Sequence, residues 1–87
     1  MSRTPKHEEH FHLINNRHPF IDIVTKRKAY AYGDRGNCYV LYLYKHAPYS
    51  IDRQDWEHIP WDNFPAWVHK RCEEVEPILQ IMKPLET

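Results

Sequence analysis

The chain has 87 residues and a mass of 10.6 kDa, enough for one domain and too little for two. Hydrophobic residues make up 41% and aromatics 14%, which excludes a disordered chain, and no apolar run reaches the ~18 residues of a membrane span. Twelve basic and twelve acidic residues cancel, which argues against generic polyanion binding, while two cysteines and an N-terminus without an apolar signal core lead us to expect a soluble, cytoplasmic protein.

The zero net charge hides an asymmetry. Residues 1–45 carry eight Lys/Arg against four acids, net +4, and residues 46–87 carry four against eight, net −4. Either the halves neutralise each other or the molecule carries a charge dipole.

Residues 1–19 read as a polar, histidine-rich segment apart from the domain proper, mobile or folded as a short helix over about 5–14. Thr4 would cap that helix, with Pro5 in its first position and Glu8 in its first turn. From Phe20 a strand pattern begins: Ile21, Ile23 and Thr25 alternate with Asp22 and Val24. Ala29-Tyr30-Ala31-Tyr32 resumes a period of two, and Gly33-Asp34-Arg35-Gly36 reads as the turn to a third strand. On that strand Cys38, Val40, Tyr42 and Tyr44 alternate with Tyr39, Leu41 and Leu43. Being apolar on both faces, it should be central and covered twice, by the C-terminal helix and by either the N-terminal segment or a second subunit.

Ser50-Ile51-Asp52 suggests a short capped helix through His58, broken at Ile59-Pro60. Asp62-Asn63-Phe64-Pro65 is a helix start, and Phe64, Trp67, Val68, Cys72, Val75, Ile78, Leu79 and Met82 form one apolar stripe after it. The expected fold is therefore α+β over residues 20–87. It has a small antiparallel sheet of two to three strands (about 20–26, 28–33 and 37–45). A C-terminal amphipathic helix (about 63–82, kinked near Pro77) packs on one face.

Four constellations carry candidate chemistry. His7, His10 and His12 lack metal-site spacing and read as incidental, and Cys38 and Cys72 read as core residues. Lys26, Arg27 and Lys28 with Tyr30, Tyr32 and Arg35, and with Tyr39, Tyr42 and Tyr44 on the paired strand, combine cations and rings as single-stranded nucleic-acid binding requires. Trp56 and Trp61, with Tyr49, sit in an acidic, proline-broken stretch suited to docking on a basic protein surface, and Tyr42 and Tyr44 extend the ring-rich surface onto the sheet. His46, His58 and His69 with Tyr49, Arg53 and Asp55 hold the residue types of a metal-independent ribonuclease, although no spacing brings them together.

The leading reading is a small, non-enzymatic protein-interaction module, an inhibitor, adaptor or accessory factor. It would bind another protein or a second copy of itself through Trp56, Trp61, Tyr49, Tyr42 and Tyr44. A single-stranded nucleic-acid binder using Lys26, Arg27, Lys28, Tyr30, Tyr32 and Arg35 is the first alternative, and a small ribonuclease the second. No cofactor, metal, membrane or small-molecule substrate is indicated, and no motif identifies a family.

Overall fold

A computed structural model of the chain describes residues 6–46 and 48–83. Five strands run in order along one antiparallel sheet: β1 (Glu8–Ile14), β2 (His18–Val24), β3 (Lys28–Asp34), β4 (Asn37–Tyr42) and β5 (Glu57–His58). A single helix, α1 (Ala66–Met82), follows them.

The expected sheet of two to three strands is thus corrected to five. The largest difference is β1, which occupies the segment read as a short helix; Thr4 and Pro5, its expected start, lie outside the described residues. β1 forms because its alternation pairs throughout with β2, from Glu8↔Val24 to Ile14↔His18. The connecting turn takes Asn15 and Asn16 at φ 55° and 58°, left-handed values that asparagine tolerates and that tight hairpins use. Arg17 N–H donates to Ile14 O across it at 3.0 Å.

The other bounds shift for local reasons. β2 starts at His18 and ends at Val24, where Thr25 N–H donates to Lys28 O at 2.8 Å and turns the chain. β4 stops at Tyr42, whose carbonyl accepts from Lys45 and His46 and curls the backbone away. In place of a helix over 50–58 there is one 3-10 turn, Arg53–Asp55, whose N-cap Asp52 accepts from Gln54 N–H. β5 then returns the chain to the sheet edge. The turn between β3 and β4 is narrowed to Arg35-Gly36, and Gly33 lies within β3, where the Phe20 ring is 2.9 Å from where its Cβ would stand, so only glycine fits there without displacing the ring.

The helix begins at Ala66, with Pro65 as N-cap, and continues through Pro77. Pro77 is exposed, so the Glu73 carbonyl it cannot bond lies toward the water side of the helix. Val68, Cys72, Val75 and Leu79 form the buried stripe, spaced as a single helix face. They pack on Ile21, Ile23, Tyr30, Tyr32, Cys38 and Val40 from the inner face of β2, β3 and β4.

The opposite face of the sheet is covered by the chain's own segment after β4. The expected N-terminal cover is partial: Ile14 packs at the margin of this face and the His12 ring stacks on Phe20. Phe20, Ala29, Ala31, Leu41 and Trp56 form that second core, with Tyr39, Leu43 and Tyr49 at its margin. No helix among the described residues is long and apolar enough to cross a membrane.

Candidate interaction surfaces

The second core is held by a charge. Asp22 is fully buried in the middle of β2 and receives three partners from outside its strand. Tyr49 O–H donates to Oδ2 at 2.6 Å, Arg53 Nη2 donates to Oδ1 at 3.0 Å, and His12 Nε2 lies 3.0 Å from Oδ1. Burial by itself raises the Asp22 carboxyl, but the bonds from His12, Tyr49 and Arg53, with the Arg53 charge, outweigh it and hold it below the usual carboxylate value. Burial and the bond to Asp22 push the Tyr49 hydroxyl up.

The Arg53 guanidinium also lies over Trp56 at 4.6 Å and Phe20 at 5.0 Å. Tyr49, Arg53 and Trp56 are thereby fixed against the sheet. The sequence reading missed Asp22 as a centre. Its signal was an acid placed between isoleucines in a strand apolar on both faces, where only a paired charge can stand.

Trp56 is 8% exposed, with its indole N–H donating to Ser50 O at 3.0 Å. Trp61 is half-buried against the helix-side core, stacked by the Arg35 guanidinium at 3.9 Å and by His69 at 4.2 Å. The Trp-bearing stretch therefore does not present both rings outward, and Tyr49 is bound to Asp22. Of the five residues expected to bind a partner, Tyr44 alone is classed as exposed, at 67%, with Tyr42 half-buried beside it.

The nucleic-acid set divides. Tyr30 and Tyr32 are buried under the helix, and Tyr32 O–H donates to Glu76 Oε1 at 2.7 Å. Arg35 lies at the β3–β4 turn against Trp61 and Glu76, at the other end of the sheet from Lys26, Arg27 and Lys28. The latter three stay together on the β2–β3 turn, and Tyr42 pairs with Lys28.

The histidines proposed for catalysis are each tied to a separate group. His46 Nδ1 is 3.9 Å from Asp55, His58 Nε2 is 3.0 Å from Gly36 O, and His69 Nε2 is 2.6 Å from Trp61 O. Among the described residues no three His, Cys, Asp or Glu side chains come together as a metal site. A cavity of about 340 Å³ opens at the sheet end between the two tight turns and the last turn of α1; Arg53 and Lys83 line it, and Arg53 is already paired with Asp22.

Cys38 and Cys72 are both fully buried in the helix-side core. Burial, then the Asp34 charge, pushes the Cys38 thiol up to about 11, and burial, then the neighbouring Cys38, pushes Cys72 up to about 12. Neither thiol should react with iodoacetamide at neutral pH in the native protein, and both should react in urea. Alkylation of the native form at either site would place that residue outside the core.

One surface was not anticipated. β1 is an edge strand, and among the described residues nothing pairs with its outer side. On its helix-facing side His7 meets Trp67 with ring centroids 5.3 Å apart, and Glu9 pairs with Arg71 at 2.5 and 2.8 Å. The bond from Arg71, opposed by burial and aided by His7, holds the Glu9 carboxyl below its usual value.

Two strand residues therefore match four helix residues, as rises of ~3.3 and 1.5 Å per residue require. Continued by the same step, Phe11 and Leu13 fall level with Val75 and Leu79 along the helix. Phe11 and Leu13 are each 37% exposed, Ile78 is 43% and Ile81 84%. Phe11 and Leu13 thus leave apolar surface open along the edge of the sheet, on the side of the helix that carries Arg71 and, two turns on, Ile78. The chain matches no family model, no curated protein and no solved structure.

Proposed function

We propose that this protein is a non-enzymatic interaction module whose docking element is the outer edge of β1 with the apolar strip beside it, and that the segment received there is β1 of a second copy. The observation that carries the reading is the edge itself: seven residues in unbroken register with β2, without the proline, lysine or bulge that usually blunts an exposed edge. The Phe11–Leu13 strip lies along one side of it.

The strand is self-complementary. In an antiparallel pair centred on His12, Phe11 of each copy lies opposite Leu13 of the other on the helix side, the side toward which Ile78 of each copy faces. In that register Glu8 and Glu9 fall opposite the Asn15-Asn16 turn, so no carboxylate meets another. A two-fold arrangement of this kind is the commonest closed symmetry, and ladder bonds with apolar pockets on alternate residues give it affinity. The burial of Trp56 and the engagement of Tyr49 favour this edge over the Trp-bearing stretch.

Light scattering and sedimentation on the full chain should give twice 10.6 kDa, and Phe11→Lys/Leu13→Lys should give a monomer with unchanged helical circular dichroism, because both residues are already partly exposed. A wild-type monomer at sub-millimolar concentration, or a dimer that survives the double substitution, overturns the reading.

A further inference from the structure

The end of the sheet formed by the β2–β3 turn and the close of β4 keeps only part of the expected nucleic-acid constellation, the Lys26-Arg27-Lys28 cations with Tyr42 and Tyr44, and adds Lys45 to it. Lys28 pairs with Tyr42 across the ladder, Leu43 N–H donates to Arg27 O at 2.9 Å, and the Thr25 hydroxyl bonds the Lys28 backbone. These bonds bring Lys26, Arg27 and Lys28 against residues 42–45 by fixed backbone contacts. Tyr42 and Tyr44 meet edge to face at 5.7 Å. The Lys28 ammonium lies 5.5 Å from the Tyr42 ring centroid, and the Lys45 ammonium lies 5.8 Å from the centroids of both rings.

None of Lys26, Arg27, Lys28 and Lys45 has a carboxylate within 4.0 Å among the described residues, whereas Arg35, Arg53 and Arg71 each do. Glu8 and Asp55 are beside His10 and His46. In a chain of zero net charge, this corner gathers unpaired positive charge around an outward-facing ring.

We infer that this corner, Lys26, Arg27, Lys28 and Lys45 around Tyr42 and Tyr44, binds single-stranded nucleic acid, the cations holding consecutive phosphates and Tyr44 stacking a base. The interleaving favours this ligand. An acidic peptide needs the cations alone and has no use for a ring that is 67% exposed, while every base has a face that stacks on tyrosine. A membrane surface would draw on the exposed apolar residues, and Phe11, Leu13 and Ile78 lie on the β1 side of the molecule instead. The inference stands apart from the β1 edge and does not depend on it.

The test is fluorescence anisotropy of the full chain with labelled oligouridylate and oligothymidylate, titrated across salt. With three to four phosphates neutralised on a single strand, the log–log salt slope should be about −2 to −3, a loss of roughly 15- to 50-fold between 50 and 200 mM. Tyr44→Ala should weaken binding by at least about fivefold and Tyr44→Phe should leave it intact, since stacking needs the ring and not the hydroxyl. Lys26→Ala/Arg27→Ala/Lys45→Ala should remove binding with the melting temperature unchanged, because all three are exposed.

No saturable binding at 50 mM salt overturns the inference. So does binding in which Tyr44→Ala equals wild type, or equal affinity for polyglutamate or for phosphatidylserine vesicles, since each would reduce the corner to a simple positive patch.

Discussion

Trp56→Ala should destabilise the protein by ~3–5 kcal/mol, the cost of deleting a large buried ring and leaving its space unfilled. For a chain of this length the whole folding free energy is about 4–13 kcal/mol, so the variant should be partly or wholly unfolded at physiological temperature. Its melting temperature should fall by at least ~12 °C. The effect is large because the ring closes the sheet's second face: it packs with Phe20, Ala29, Ala31 and Leu41. Its indole N–H bonds Ser50 O, and the Arg53 guanidinium lies on its face. Trp61→Ala should cost less, since Trp61 is only partly buried and its stacking on Arg35 is at the surface. Differential scanning calorimetry of the two variants decides the matter; a shift below ~4 °C for Trp56→Ala would show that the ring is not part of the core.

Asp22→Asn should cost a comparable ~3–5 kcal/mol, because it removes the carboxylate and leaves Arg53 without its counter-charge. The pH dependence follows from the direction of the shift. The folded-state carboxyl lies below the unfolded value of ~3.9, so its stabilisation is complete above that value and disappears as pH falls through the folded value. Glu9, lowered by Arg71, acts in the same sense at a more exposed position. Wild-type melting temperature should hold level down to about pH 5 and drop below about pH 4. Asp22→Asn should start lower and lose less on acidification. A variant whose acid limb matches the wild type would assign the acid sensitivity to other carboxylates.

Particular residues explain what could be read from the sequence and what could not. The stripe Val68, Cys72, Val75, Leu79 announces a helix without tertiary help, because its spacing is that of one helix face. The hairpin around Gly33 to Gly36 is likewise local. β1 was hidden because Phe11 and Leu13 alternate with His10 and His12 and follow Glu8 and Glu9, residues that look like a solvated terminus, while Thr4 and Pro5 have the sequence of a helix start. Its strand character comes from pairing with β2, and the available sign was the Asn15-Asn16 pair that the turn requires.

The tryptophans misled for a different reason. Their chemistry suits an interface and a core equally, and the choice at Trp56 was made by Asp22, which anchors Tyr49 and Arg53 from over 25 residues away in sequence. The cationic corner was half legible: the Lys26-Arg27-Lys28 run is local. Which tyrosines accompany it depends on position along the sheet: Tyr30, Tyr32 and Tyr42 share the helix-side face, but only the first two are fully covered, and Tyr44 lies past the end of β4.

The order β1-β2-β3-β4-β5 contains no crossover, and this bears on how the chain is made. Each ladder joins neighbours in sequence, so hairpins can zip up one after another with little loop closure, the situation that favours rapid folding. The greasy underside of the nascent sheet, however, has no lid until residues 66–82 leave the ribosome, so the emergence of this helix after the strands ends the interval in which the polypeptide is most prone to stick to its neighbours.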